Sequence, residues 1–118
     1  MSTGKPPPAR ELVRRGDIWW VSLDPAEGSE IRKTRPAVVI TADALNRGRR
    51  TVVVVPLSTG PEPRPPIVVA TPSAGPGSVA VCDQLRAVDK RRLTRAHGRL
   101  SPSDLGTVED GVRRVLSL

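Results

Sequence analysis

The chain has 118 residues, of which 37% are hydrophobic and 26% charged, and carries a formal net charge of +7. That length suits one domain with a modest core and excludes two ordinary ones. A single Cys excludes an internal disulfide, no apolar stretch reaches the ~18 residues of a membrane-spanning helix, and the excess of Lys and Arg favours a polyanionic partner such as RNA, DNA or an acidic protein segment.

The opening "MSTGKPPPAR" is rich in Pro, Gly and Ser and holds no apolar signal-peptide segment, so residues 1–13 are expected to form a flexible tail and 14–118 the folded domain. The lone Cys82 fits a reducing, cytoplasmic setting. With no Phe or Tyr, the core has to be built from Val, Leu, Ile and Ala around Trp19 and Trp20. "DIWWVSL" (17–23) has the β-branched and aromatic content of a strand, on which Trp19 and Trp20 point to opposite faces. One can fill the core while the other lines a groove, lines a subunit interface, or packs under a loop.

"DPAEGSEIRKTRP" (24–36) reads as a long polar loop, and loops of that length are usually functional or mobile. Its charges, Glu30, Arg32, Lys33 and Arg35, stand at the mouth of the next strand, "AVVIT", either as a solvated loop or as a site. "ADALNRGRR" predicts a short helical turn and a basic loop. "TVVVVPLST" (51–59) is apolar on both faces, which predicts a central strand leaving through Pro56 towards Ser58 and Thr59. "GPEPRPP" can be neither helix nor central strand; "IVVAT" is a short strand, "PSAGPG" a turn, and "SVAVCDQLRAVD" one or two strands. "KRRLTRAHGRL" is expected to be a helical turn and loop. Ser101, Pro102 and Asp104 then give an N-cap, a first-turn proline and an acidic third residue, and Leu105, Val108, Val112, Val115 and Leu116 follow at helical spacing. The pattern predicts a mainly β fold with a C-terminal α-helix, a small bent barrel-like sheet.

Metal and nucleotide chemistry find little support. His97 and Cys82 are each the only residue of their kind, while a structural zinc site needs four ligands and a catalytic one three. There is no phosphate-binding Gly-x-x-x-x-Gly-Lys loop, dinucleotide fingerprint or Gly-x-Ser-x-Gly, so neither metal nor cofactor is expected. Arginine, hydroxyl and carboxylate groups remain. They suffice to cleave RNA, whose 2′-OH is an internal nucleophile that the protein must orient and whose developing charge it must stabilise.

"RGDIWWVSLDPAEGSEIRKTRPAVVIT", "NRGRRTVVVVPLST" and "SVAVCDQLRAVDKRRLTRAHGRLS" together resemble the MazF/PemK-type toxins of bacterial toxin–antitoxin pairs, in register from about Arg15 to the C-terminal helix. The resemblance implies an SH3-like, plasmid-maintenance-toxin barrel of about five to seven strands. It further implies a homodimer, metal-independent and sequence-specific cleavage of single-stranded RNA, and neutralisation by a MazE-like antitoxin whose acidic C-terminal segment fills the RNA groove. Arg35 of "KTRP" matches the family arginine at the scissile phosphate, Ser58 stands where many members have threonine, and Glu30 matches an acidic residue implicated in activity. Trp20, Ser29, Arg32, Lys33, Thr59, Asp83, Gln84 and Arg86 fall where RNA contacts are implied.

The PemK-like branch relies on an arginine and an aspartate around a "CD" pair and on a first-loop histidine; this chain has Asp83, but Val81 in place of the arginine and Ser29 in place of the histidine. That departure favours Arg35 with Ser58, and leaves Asp83 to cap a turn or pair with Arg86. Two other functions suit a similar fold. A CcdB-like gyrase poison would carry a Trp near the C-terminus, whereas this chain ends "RRVLSL"; a non-catalytic RNA-binding barrel would offer aromatic stacking platforms, of which two Trp are a poor supply.

Overall fold

The computed structural model describes residues 12–23 and 34–118. Seven strands, β1 (Asp17–Ser22), β2 (Thr34–Val39), β3 (Thr51–Ser58), β4 (Val68–Ala70), β5 (Val79–Val81), β6 (Arg86–Asp89) and β7 (Leu93–Arg99), are joined by a short helix α1 (Asp43–Gly48) and followed by α2 (Pro102–Leu116). Short 3-10 turns occupy Pro72–Ala74, Cys82–Gln84 and Lys90–Arg92. The strands form one antiparallel sheet in the order β4-β5-β3-β2-β1-β7, with β6 also on β3. The expected mainly β fold with a closing helix is therefore present, but the sheet stays open rather than closing into a barrel.

β3 is the hub. Its first half pairs with β6 and its last residues with β5, while β2 lies along its other side. Alternation along the strands produces two cores, one on each face. Trp19, Val21, Ala37, Val39, Val52, Val54 and Val88 form the first, together with Val13 and Leu23. Ile18, Val38, Val55, Leu57, Val69, Ala80 and Cys82 form the second, which α2 covers with Val108. Each of these fully buried Val or Leu side chains contributes about 1.5–3 kcal/mol relative to exposure, which lets a chain without Phe or Tyr hold its fold. Val13 is 4% exposed, so the chain is already packed four residues before β1.

α2 begins as its sequence predicts. Ser101 accepts a hydrogen bond from the Asp104 backbone N–H at 3.1 Å, and Pro102 occupies the first turn. The Asp104 carboxylate in turn accepts from the Ser73 backbone N–H at 2.8 Å, and the Ser101 N–H donates to Ser73 Oγ at 2.9 Å, which fastens the helix start to the Pro72–Ala74 turn. Ser101→Ala is expected to lower stability by about 1 kcal/mol, read as a shifted urea midpoint with an unchanged slope. Leu105, Val112 and Val115 pack on the second core as predicted, whereas Leu116 is 48% exposed. It lies about 100° round the helix from Val115 and so leaves the apolar stripe.

Two further expectations are corrected. "KRRLTRAHGRL" is not helical turn and loop: after the Lys90–Arg92 turn it is β7, paired with β1 from Asp17–Arg99 to Val21–Leu93. Only Leu93 of β7 is buried, so the strand has no apolar alternation to announce it. Two irregularities in the β1–β7 register and Gly98 at φ +92° twist this outermost strand, and Arg95 and Arg99 charge it, a combination that discourages edge-to-edge association. The second strand begins at Thr34 rather than Ala37, so Arg35 belongs to β2 itself.

A candidate nucleic-acid cleft

The site starts with two prolines. Pro36 and Pro56 lack the N–H that a ladder needs, and the last β2–β3 pair is Ala37–Pro56. Beyond it, the same register brings Arg35 opposite Ser58, where the two strands part. Here a cleft of about 600 Å³ opens, lined by Leu23, Arg35, Pro56, Leu57, Ser58, Pro61, Val81, Gln84 and Arg86. Arg35 is paired with Val21 of β1, and Arg86 with Val54 of β3. By strand alternation Arg35 shares a face with Ala37 and Val39, and Arg86 with Val88, so both arginines extend the face that buries the first core. The cleft is the open end of that core.

Its electrostatics are one-sided. Among the described residues that line it, two carry guanidinium groups and none a carboxylate. The four ion pairs among the described residues, Arg15–Glu109, Arg91–Asp89, Arg99–Asp17 and Arg113–Asp110, involve neither Arg35 nor Arg86. A guanidinium fork suits phosphate oxygens, Ser58 adds a hydroxyl, and Gln84 an amide that both donates and accepts. Among the described residues, no three His, Cys, Asp or Glu side chains cluster as a metal site requires.

Arg35, Ser58, Gln84 and Arg86 thus meet in one cleft. Thr59 is exposed just past the end of β3, and Asp83 is exposed on the Cys82–Gln84 turn; neither lines the cleft. Asp83 makes no ion pair among the described residues. Trp20 alternates to the face opposite Arg35, where its ring packs 5.2 Å from His97, and the Arg95 guanidinium lies 5.7 Å from the ring centre. Glu30, Ser29, Arg32 and Lys33 lie outside the described residues. The apolar walls, Leu23, Pro56, Leu57, Pro61 and Val81, escape a search for chemical groups, although Leu23 continues the inward alternation of Trp19 and Val21.

Behind Gln84 sits the one cysteine. Burial, with a smaller contribution from the neighbouring Asp83 charge, pushes the Cys82 thiol up to about 11 from an ordinary 9.0. The native protein is therefore expected to resist alkylation by iodoacetamide at pH 8 and to react once unfolded in urea. Because the folded state holds this proton more tightly than the unfolded one, its contribution to stability is complete below pH 9 and is lost as pH rises towards 11. The alkaline fall in Tm over that window is expected to be shallower in Cys82→Ala.

Comparison with known proteins gives the family and the fold. The family model described as "PemK-like, MazF-like toxin of type II toxin-antitoxin system" covers residues 14–116. Endoribonuclease MazF9 of Mycobacterium tuberculosis is 34% identical over 116 residues, spanning 91% of this chain and 98% of its own length. Endoribonuclease PemK of Escherichia coli is 40% identical over 92 residues, 70% of this chain and 69% of that protein. The crystal structure of a MazE–MazF complex (Form-II) from Deinococcus radiodurans superposes with a TM-score of 0.78 at 23% identity, covering 90% of this chain and 96% of that one, a likeness of fold. With a family model spanning nearly the whole described chain and relatives above 30% identity along most of their length, the chain belongs to the PemK-like, MazF-like toxins of type II toxin–antitoxin systems.

Proposed function

We propose that this chain is an endoribonuclease toxin that cleaves single-stranded RNA at a specific sequence without a metal ion. The observation that carries this reading is the convergence of Arg35, Ser58 and Arg86 on one cleft. The substrate's 2′-oxygen attacks the adjacent phosphorus as its proton leaves; the bond to the 5′-oxygen breaks as that oxygen gains a proton. The products are a 2′,3′-cyclic phosphate and a 5′-OH. RNA supplies the nucleophile, so the protein needs only to orient it, balance charge on the phosphorane and assist two proton transfers.

Arg35 is assigned to the non-bridging phosphate oxygens, Ser58 to a hydrogen bond at the same phosphate, and Glu30 to the first loop beside them. Gln84 and Arg86 contact flanking nucleotides, with Ser29, Arg32, Lys33, Thr59 and Asp83 as further RNA contacts, while Trp20, on the face away from Arg35, is set aside. The protein acts in the cytoplasm as a homodimer, and a MazE-like antitoxin silences it by laying an acidic C-terminal segment in the cationic cleft. A solved endoribonuclease of similar fold in complex with its cognate antitoxin supports an antitoxin as partner. No described helix is long and apolar enough to cross a membrane.

The test is incubation of antitoxin-free protein with a long mixed-sequence RNA in EDTA, mapping of the new ends, and a control RNA carrying 2′-deoxy at the mapped site. Cleavage at one short motif, lost in the deoxy copy, is expected. Intact RNA from folded protein would instead favour a gyrase poison or a non-catalytic RNA-binding barrel.

A further inference from the structure

The cleft is built from two groups of residues that are held in different ways. Arg35 and Ser58 are fixed by the β1–β2–β3 register. Val81, Gln84 and Pro61 come from β5, the Cys82–Gln84 turn and the proline-rich segment before β4; none of these pairs with β2, and β5 meets β3 only at Leu57–Ala80 and Ser58–Val79. What stands behind that second wall is α2, and the point of contact is Gly111.

A Cβ at Gly111 would lie 2.5 Å from Cys82 Sγ, 2.8 Å from the Pro66 carbonyl oxygen and 3.2 Å from Cys82 Cβ. Distances below 3.0 Å are essentially never found for real Cβ atoms, so something would have to move. The sheet side of the contact has little freedom. Cys82 is 0% exposed, its N–H donates to the Ile67 carbonyl at 3.0 Å, and its Sγ lies 3.8 Å from the Val108 carbonyl. Pro66 leads directly into Ile67, so the two touched segments are also tied to each other. Cys82 is flanked by Val81 and is two residues from Gln84, both of which line the cleft; Pro66 belongs to the segment that carries Pro61.

We infer that Gly111 is a positioning residue for RNA recognition: by letting α2 approach Cys82 and Pro66 without a side chain, it sets where the Gln84 and Pro61 wall stands relative to Arg35 and Ser58. This rests on the endoribonuclease reading above and assigns Gly111 no contact with RNA. It also accounts for a helix that keeps a glycine in its interior despite the cost to helix stability. Gly106 in the same helix has nothing within 4 Å of its would-be Cβ and supplies the matched control.

The experiment measures kcat, KM and the cleaved motif for wild type, Gly106→Ala and Gly111→Ala on one RNA containing the mapped site. Gly106→Ala is expected to match wild type in all three. Gly111→Ala is expected to raise KM at least fivefold and to loosen the motif, with kcat within about twofold of wild type, because the arginine and serine wall is untouched. Should Gly111→Ala fail to fold, Cys82→Ala/Gly111→Ala carries the test. It removes the Sγ contact but keeps those with the Pro66 oxygen and the Cβ at position 82, so a KM raised at least twofold at unchanged kcat is expected, with amide NMR shifts concentrated at Glu62, Arg64, Ile67 and residues 82–86. Wild-type KM and motif in a folded Gly111 variant, or kcat and KM worsening together with Tm, would overturn the positioning role. Wild-type protein that leaves RNA intact would instead overturn the underlying activity.

Discussion

Arg35→Ala is expected to remove RNA cleavage, lowering kcat/KM by about 1,000-fold or more, while thermal unfolding stays close to wild type. One preorganised donor at a developing oxyanion is worth about 10²–10³ in rate, and a guanidinium adds charge and a second N–H to that count. The fold should be indifferent, because no ion pair among the described residues uses this side chain and its neighbours on the same face, Ala37 and Val39, remain in place. Arg35→Lys is the informative companion. It preserves the charge but loses the planar fork, and recovery of only a small part of the rate would show that geometry matters beyond charge. Cleavage by Arg35→Ala at the wild-type rate would take this residue out of the mechanism.

Ser58→Ala should cost about 100-fold in kcat, the scale of one lost hydrogen bond that matters in the transition state. KM should change little, since most of the cleft's attraction for phosphate comes from Arg35 and Arg86. Ser58→Thr is expected to keep most of the activity: it retains the hydroxyl, and the position already ends a strand, where a β-branched residue is at home. Equal rates for serine and alanine would reduce Ser58 to a strand-end residue. Full loss in the threonine variant would show instead that the added methyl group does not fit beside Arg35.

Much of this was visible in the order of residues. The apolar run Thr51–Ser58 announced the central strand, "DIWWVS" its neighbour, and the Ser101–Asp104 cap the helix, because each carries a periodic or capping signal that packing then reinforced. Arg35 and Ser58 are proposed from linked motifs, and the β2–β3 register sets the two residues opposite each other. β7 was missed because its side chains face solvent at nearly every position, so no alternation marks it; its partner β1 and the turn before it make it a strand. Leu23 and Pro61 were missed for a different reason. A cleft wall is assembled from segments that are neighbours only after the sheet has formed, and neither residue carries a reactive group. Trp20 shows the converse: adjacency to Trp19 fixed that the two rings diverge, but not that Trp20 would meet His97 and Arg95 on the face away from Arg35.

The pairing of β1 with β7 also bears on when this protein becomes active. Asp17 finds its strand partner at Arg99, and the second core unites Ile18 with Leu100 and Val108. Contacts so distant in sequence delay folding, since the intervening chain must be ordered before they form. During synthesis neither the outer strand nor the helix behind Gln84 exists until residues 93–116 have been made. A nascent chain that already holds Arg35 and Ser58 therefore still lacks the strand and helix that hold the walls of its cleft.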